Sequence, residues 1–324
     1  MKPRKELCPY RVGEEINGRY KIIEELGVRT FHTSFLVEDI KASPGKRLVL
    51  KCYKAGYFKG WSARRGAKST VRATKALKDD LKCVPYSAFE RGRAGEYLLV
   101  RPFVEGQSLR ERLNELGHLP VLETIDILEQ CASTIKALTR GVALIYGNLK
   151  PENIILRRED NSSQVKIILT DPLLKIESRD ESLIRLSGDV GARYIAPERI
   201  IGPLWEGDVA EMMENQGIHS YPFSLREDIF SLGALGFEML TGRRAWEEKS
   251  LNAHFLRGRD NPVPPLTPSR YVPTSSQLEL VINRCVQRYP RERYQMLDTF
   301  LNELRWAKNK TAEDSDEHRV GSAS

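Results

Sequence analysis

The chain has 324 residues, 40% of them hydrophobic and 29% charged, with a formal net charge of +7. The length fits one large domain of two lobes or two small domains, with a sizeable core. No apolar run reaches the roughly 18 residues of a membrane span, and the basic N-terminus "MKPRKELCPYRVGEE" lacks the apolar stretch of a signal peptide. The five cysteines are scattered with no C-x-x-C, and the five histidines show no H-x-x-x-H. This spacing speaks against a zinc site or a disulfide framework, and a reducing cytoplasm is expected.

In chain order, 1–15 reads as an N-terminal extension. "YKIIEEL" and "SFLVEDI" alternate as strands do, and "KRLVLKCY" follows a Pro-Gly turn. Residues 62–82 read as a basic helix. From Lys59 to Lys82 there are eight Lys or Arg against two acids, Asp79 and Asp80. That stretch is either a solvated helix face or a surface for an acidic partner. Nucleic acid is not expected, since no zinc spacing or aromatic-glycine RNA motif accompanies it.

"EYLLVRPF" is another strand. Helices dominate beyond it. "SLRERLNEL" carries Ser108 three residues before Glu111, a capping-box pattern. "VLETIDILEQCASTIKALTRG" has helical apolar spacing and a terminal glycine. "SLREDIFSLGALGFEMLTG" is apolar nearly all round, as a buried helix is. "SQLELVINRCVQRYPRERYQMLDTFLNELRWAK" gives two more helices, and 308–324 reads as a disordered polar tail.

Four segments, in order, carry a resemblance. They are "LKPENIIL", "YIAPERI", "REDIFSLGALGFEMLTGRRAW" and "PRERYQM". Together they resemble the eukaryotic-type (Hanks-type) serine/threonine protein kinase domain over roughly 16–306. The resemblance implies an α+β, bilobal protein-kinase-like fold over 16–307. A small antiparallel-sheet N-lobe would cover about 16–103 and a larger helical C-lobe about 104–307.

The resemblance also implies roles. Asp228 would accept hydrogen bonds from the catalytic-loop backbone, and Glu198 would pair with Arg293. Lys51 sits where the phosphate-holding lysine belongs. Lys150 would steady the transferred phosphate. Asn153 and Asp171 would hold magnesium. Gly27, Lys51, Val104, Asn153 and Asp171 are the positions expected to hold ATP, with Mg possible and weak or absent binding left open.

The departures point the other way. Asn148 stands at the catalytic aspartate, and a neutral amide cannot accept a hydroxyl proton. Loss of a general base costs on the order of 10²–10⁴-fold. Gly147 replaces the arginine that reads a phosphorylated loop, and Tyr146 replaces the histidine, read as a packing change. Arg29 and His32 occupy glycine positions of the phosphate loop, and Ser34 the valine over the adenine. No glutamate lies between Glu38 and Glu90 to pair with Lys51. D-F-G has become Asp171-Pro172-Leu173. Gly191 or Ala192 falls where a threonine is usual. Arg101 falls near the gatekeeper, either buried or facing solvent. Residues 202–220 form an insertion, either a plain surface loop or a dock for a partner.

The function expected is a pseudokinase, a regulatory or scaffolding module with lost or very weak phosphotransfer that acts on a protein partner. The alternative is an active but unconventional serine/threonine kinase, because Lys51, Lys150, Asn153 and Asp171 persist.

Overall fold

Strands alternate side chains between two faces, and this period of two sorts the first part of the chain. In the computed structural model, residues 8–29, 31–41, 44–58, 60–77, 82–158, 165–174, 194–196, 225–245 and 266–321 are described. They fall into two compact units. One runs to Glu105 and takes back Leu173 and Leu174; the other begins at Gly106.

The first unit is a six-stranded antiparallel sheet. Its strands are β1 (Glu15–Ile16), β2 (Tyr20–Val28), β3 (His32–Asp39), β4 (Lys46–Tyr53), β5 (Ala88–Arg91) and β6 (Tyr97–Pro102), in the order β1-β2-β3-β4-β6-β5. One face buries Tyr20, Ile22, Phe35, Leu48, Leu50, Cys52 and Leu98 under a segment that brings Cys8, Tyr10 and Ile16. Residues 8–15, counted within an extension on sequence, thus belong to this unit, and Glu15 opens β1 of its sheet. Leu99, on the opposite face, packs with Phe58, Tyr86 and Leu174 against helix α1 (Gly60–Lys75).

Helix α1 is shorter than the expected 62–82. It turns the small residues Ala63, Ala67, Thr70, Val71 and Thr74 inward and leaves Arg65, Lys68, Arg72 and Lys75 exposed. Asp79 and Asp80 lie outside the described residues.

The second unit is helical around a three-stranded sheet of β7 (Gln107–Ser108), β8 (Ile154–Arg158) and β9 (Val165–Leu169). Its helices are α2 (Leu109–Leu116), α3 (Val121–Val142), α4 (Leu225–Thr241), α5 (Ser276–Cys285) and α6 (Leu297–Gly321). The capping box at α2 is formed: the Glu111 backbone N–H donates to Ser108 Oγ at 3.2 Å, and Ser108 N–H donates to Glu111 Oε2 at 2.7 Å. Helix α3 runs past the expected Gly141 stop and ends on Ala143, left-handed at φ 51°.

Helix α4 is buried from Glu227 to Leu240. Gly233 makes this crossing possible, since a Cβ there would lie 2.5 Å from Cys285 Cβ and 3.0 Å from the Ile282 carbonyl. The tail expected to be disordered from 308 instead continues α6 to Gly321. Extending a helix already packed costs far less than starting one. Arg305 reaches Glu129 at 2.6 Å, and Lys308 pairs with Asp126. Among the described residues, no helix is long and apolar enough to cross a membrane.

Candidate functional site

In the first unit, β4 carries Lys51. It lies opposite Ser34 on β3 and Leu99 on β6. Directly paired residues share a face, so Lys51 emerges on the face that packs α1. That helix, "GWSARRGAKSTVRATK", contains no acid, as the missing glutamate led one to expect. Its buried hydroxyls are satisfied locally: Thr70 Oγ1 donates to Gly66 O at 3.2 Å, and Thr74 Oγ1 donates to Val71 O at 3.0 Å.

Gly27 pairs with Ser34, and β2 and β3 close tightly beyond it, with Arg29 N–H donating to His32 O at 2.8 Å. The tip of this hairpin is clamped. Phe31 O accepts from Lys54 N–H at 3.0 Å, Lys54 Nζ lies 4.7 Å over the Phe31 ring, and the Tyr57 ring lies tilted beside it at 5.2 Å. His32, expected at a glycine position of the phosphate loop, joins the same aromatic group, 4.9 Å from Tyr53. Arg29 is exposed.

Arg101 is half-buried, between the two sequence alternatives, and its Nη1 donates to Pro102 O at 3.0 Å. Val104, just beyond β6, is half-buried, and its backbone N–H and carbonyl have no partner among the described residues.

In the second unit, a 3₁₀ turn at Pro151–Asn153 leads into β8. Proline suits the start of such a turn because its missing N–H would be unsatisfied there anyway. Asp228, fully buried on α4, accepts the backbone N–H of Tyr146 at 3.0 Å and of Gly147 at 2.7 Å, as the resemblance implied. Gly147 has φ +61°, a conformation that costs a side-chain-bearing residue about 1–2 kcal/mol. Tyr146 does more than fill space: its buried hydroxyl donates to the Thr170 carbonyl.

Asn148, Asn153 and Asp171 are brought together. Asn148 Nδ2 donates to Asp171 O at 2.7 Å, and Asn153 Nδ2 donates to Asn148 O at 2.8 Å. Asn153 and Asp171 are both buried, and Asp171 is left-handed at φ 58°. Asn153 Oδ1 and the Asp171 carboxylate are oxygen donors of the kind a hard cation takes. Lys150 is half-buried one residue before the turn. Leu174, two residues beyond Pro172, packs in the first unit against α1 and Leu99.

Sequence reasoning missed one cluster. Arg110 donates through Nε to Glu152 Oε1 at 3.0 Å, through Nη1 to Glu238 Oε1 at 2.8 Å and through Nη2 to Tyr194 OH at 2.8 Å. Tyr194 also donates to Glu238, and Ser231 Oγ donates to Tyr194 O at 2.6 Å. Burial lowers the Arg110 pKa, but the facing carboxylates outweigh it and hold the guanidinium charged. Burial likewise raises Glu152, but the Arg110 charge and hydrogen bond bring it below the ordinary carboxylate value. Arg110, Glu152, Tyr194 and Glu238 come from four separated stretches, and no spacing in the sequence announces them.

Arg293 is 1% exposed and donates to three carbonyls, of Gln287 at 2.7 Å, Arg226 at 3.0 Å and Arg288 at 3.1 Å. Its expected partner Glu198, the Gly191–Ala192 position and the 202–220 insertion lie outside the described residues. Among the described residues, no group of three or more His, Cys, Asp or Glu is placed to hold a metal.

The chain is similar to known proteins over nearly its whole length. It is 25% identical over 313 residues to a probable serine/threonine-protein kinase of Clostridium acetobutylicum, covering 94% of this chain and 42% of that one. It is 24% identical over 308 residues to the serine/threonine-protein kinase PrkC of Bacillus subtilis, with the same coverage of 94% and 42%. The chain thus spans less than half the length of these curated relatives. Among solved structures, the kinase domain of PknI from Mycobacterium tuberculosis superposes with a TM-score of 0.64 at 18% identity, covering 92% of this chain and 99% of that one. This likeness matches the fold: an antiparallel sheet in one unit and helices in the other. Protein kinases in general use ATP and Mg. The protein kinase domain model matches residues 31–303, and the chain belongs to that family.

Proposed function

We propose that this protein is a pseudokinase, a kinase fold with lost or very weak phosphotransfer that works as a regulatory or scaffolding module. The observation that carries the reading is the Asn148 amide. It stands where the base belongs, cannot take a proton, and commits its own N–H to the Asp171 carbonyl. The clamped β2–β3 tip and the acid-free α1 support the same reading.

Each unit, taken by itself, keeps residue types that suit Mg·ATP. Lys51, Val104 and Gly27 would hold it, Asn153 and Asp171 would hold Mg, and Lys150 would neutralise phosphate charge. Bound Mg·ATP would supply the transferable phosphoryl group. The partner is a protein, and the exposed cations of α1 suit an acidic surface on it.

The test is thermal melting with and without Mg·ATP, followed by incubation with γ-labelled ATP and a generic acceptor. A melting shift that EDTA removes, with no label transferred, is expected. Label that Asp171→Ala abolishes would overturn the reading. It would favour the second one, an unconventional serine/threonine kinase transferring the γ-phosphate to protein hydroxyls. That reading rests on the retained Lys51, Lys150, Asn153 and Asp171, with proton loss assisted by the substrate in a loose transition state.

A further inference from the structure

Two of the five cysteines are placed against each other, one from each side of the outer sheet face. Cys52 lies on β4 with no exposure, in the cluster built from Tyr20, Phe35, Leu50 and Leu98. Cys8 is half-buried in the segment that covers this face and packs against the same cluster. Cys8 thus meets the cluster that holds Cys52, and each thiol shifts the other's acidity. The segment is well anchored around them. Tyr10 is 4% exposed, its hydroxyl accepts from Arg93 N–H at 3.2 Å, and Arg93 lies 4.9 Å over its ring. Gly13 N–H donates to Ile22 O and Ile22 N–H to Glu14 O, both at 2.9 Å. No disulfide joins any of the cysteines.

We propose that Cys8 and Cys52 form a reactive dithiol, with Cys8 the nucleophile and Cys52 the resolving thiol, that a peroxide converts to a disulfide. The division of labour follows from the surroundings. Cys52 and the Tyr10 backbone lower the Cys8 pKa, whereas Cys8 and burial raise that of Cys52. The thiolate is the attacking form, and the half-buried member of the pair is the one an oxidant reaches.

In the first step the Cys8 thiolate attacks one oxygen of hydrogen peroxide and the O–O bond breaks. Cys8 becomes a sulfenic acid, and the departing hydroxide takes up the proton Cys8 had lost, leaving as water. In the second step the Cys52 sulfur attacks the Cys8 sulfur, the S–O bond breaks, and hydroxide leaves with the Cys52 proton as a second water. Two thiols and one peroxide give one disulfide and two waters. The new bond ties the covering segment to the strand that carries Lys51.

The test uses the full chain, reduced and then exposed to one equivalent of hydrogen peroxide. It is quenched by alkylation under denaturing conditions, digested without reductant and mapped by mass spectrometry. An intrachain crosslink between the Cys8 and Cys52 peptides is expected, reversed by dithiothreitol, while Cys83, Cys131 and Cys285 are recovered alkylated. The crosslink is expected to form at least about ten-fold faster than oxidation at any other cysteine. Cys52→Ala is expected to stop at a Cys8 sulfenic acid that dimedone traps. Cys8→Ser, a change in the covering segment alone, is expected to leave Cys52 unreacted. Recovery of Cys8 and Cys52 as separate alkylated thiols, crosslinks only between two chains, or first oxidation at another cysteine would each overturn the proposal.

Discussion

Asn148 gives its side-chain N–H to the backbone carbonyl of Asp171 at 2.7 Å, so the residue expected at the base position acts here as a donor. An aspartate in its place would set a carboxylate oxygen against a carbonyl oxygen. Asn148→Asp is therefore expected to lose about 1–3 kcal/mol of stability and to raise phosphotransfer by less than about ten-fold, short of what a restored general base supplies. Denaturant unfolding and a labelled-ATP assay measure the two effects. A gain of about a hundred-fold in transfer would show that Asn148 alone separates this chain from an active kinase.

Arg110 holds three partners at once, and Glu238 beneath it is 3% exposed. Arg110→Met leaves that carboxylate buried without its cation. A loss of about 3–5 kcal/mol is expected, read by urea unfolding. Arg110→Lys is expected to recover only part of it, because a compact ammonium cannot span the wide, planar fork by which the guanidinium reaches three separated partners.

The same contact sets an acid limb. Glu152 has a folded pKa below its ordinary 4.5, so its stabilising contribution is complete above that value and is lost as pH falls through the lower folded value. A plot of melting temperature against pH for wild type is expected to steepen below about pH 4.5. In Arg110→Met the Glu152 part of that slope is expected to vanish.

Gly233 crosses α5 at contact distance. Gly233→Ala pushes a methyl into Cys285 and the Ile282 carbonyl, and overpacking of this kind costs about 1–3 kcal/mol. Gly141→Ala, where nothing lies within 4 Å, is the matched control and is expected to be neutral or slightly stabilising. Calorimetry of both variants checks the difference.

Much of the frame was legible in the sequence. The three long strands carry enough alternation to be placed, and β4 falls on 46–53 as expected. The buried α4 and the Ser108 cap follow from composition and a four-residue pattern. The short strands did not follow. Ala88–Arg91 has four residues and no alternation, and Ile154–Leu156 is an apolar run that periodicity alone cannot assign. At the site, the identities of Asn148, Asn153 and Asp171 were readable, but their mutual hydrogen bonds were not, since a motif gives spacing and not donor direction. The Arg110 cluster and the Cys8–Cys52 contact depend on residues far apart in sequence that only the packed units bring together.

The clamp at the β2–β3 tip has a kinetic consequence. With Phe31 fixed by Lys54 and Tyr57, the hairpin has little left to fold down when a ligand arrives. Capture then needs no slow isomerisation after encounter, so the observed rate is expected to rise in proportion to nucleotide concentration without a plateau. A cradle formed in advance gives up the choice that closure offers. On the pseudokinase proposal, nucleotide would enter and leave this tip at rates set by contact strength alone.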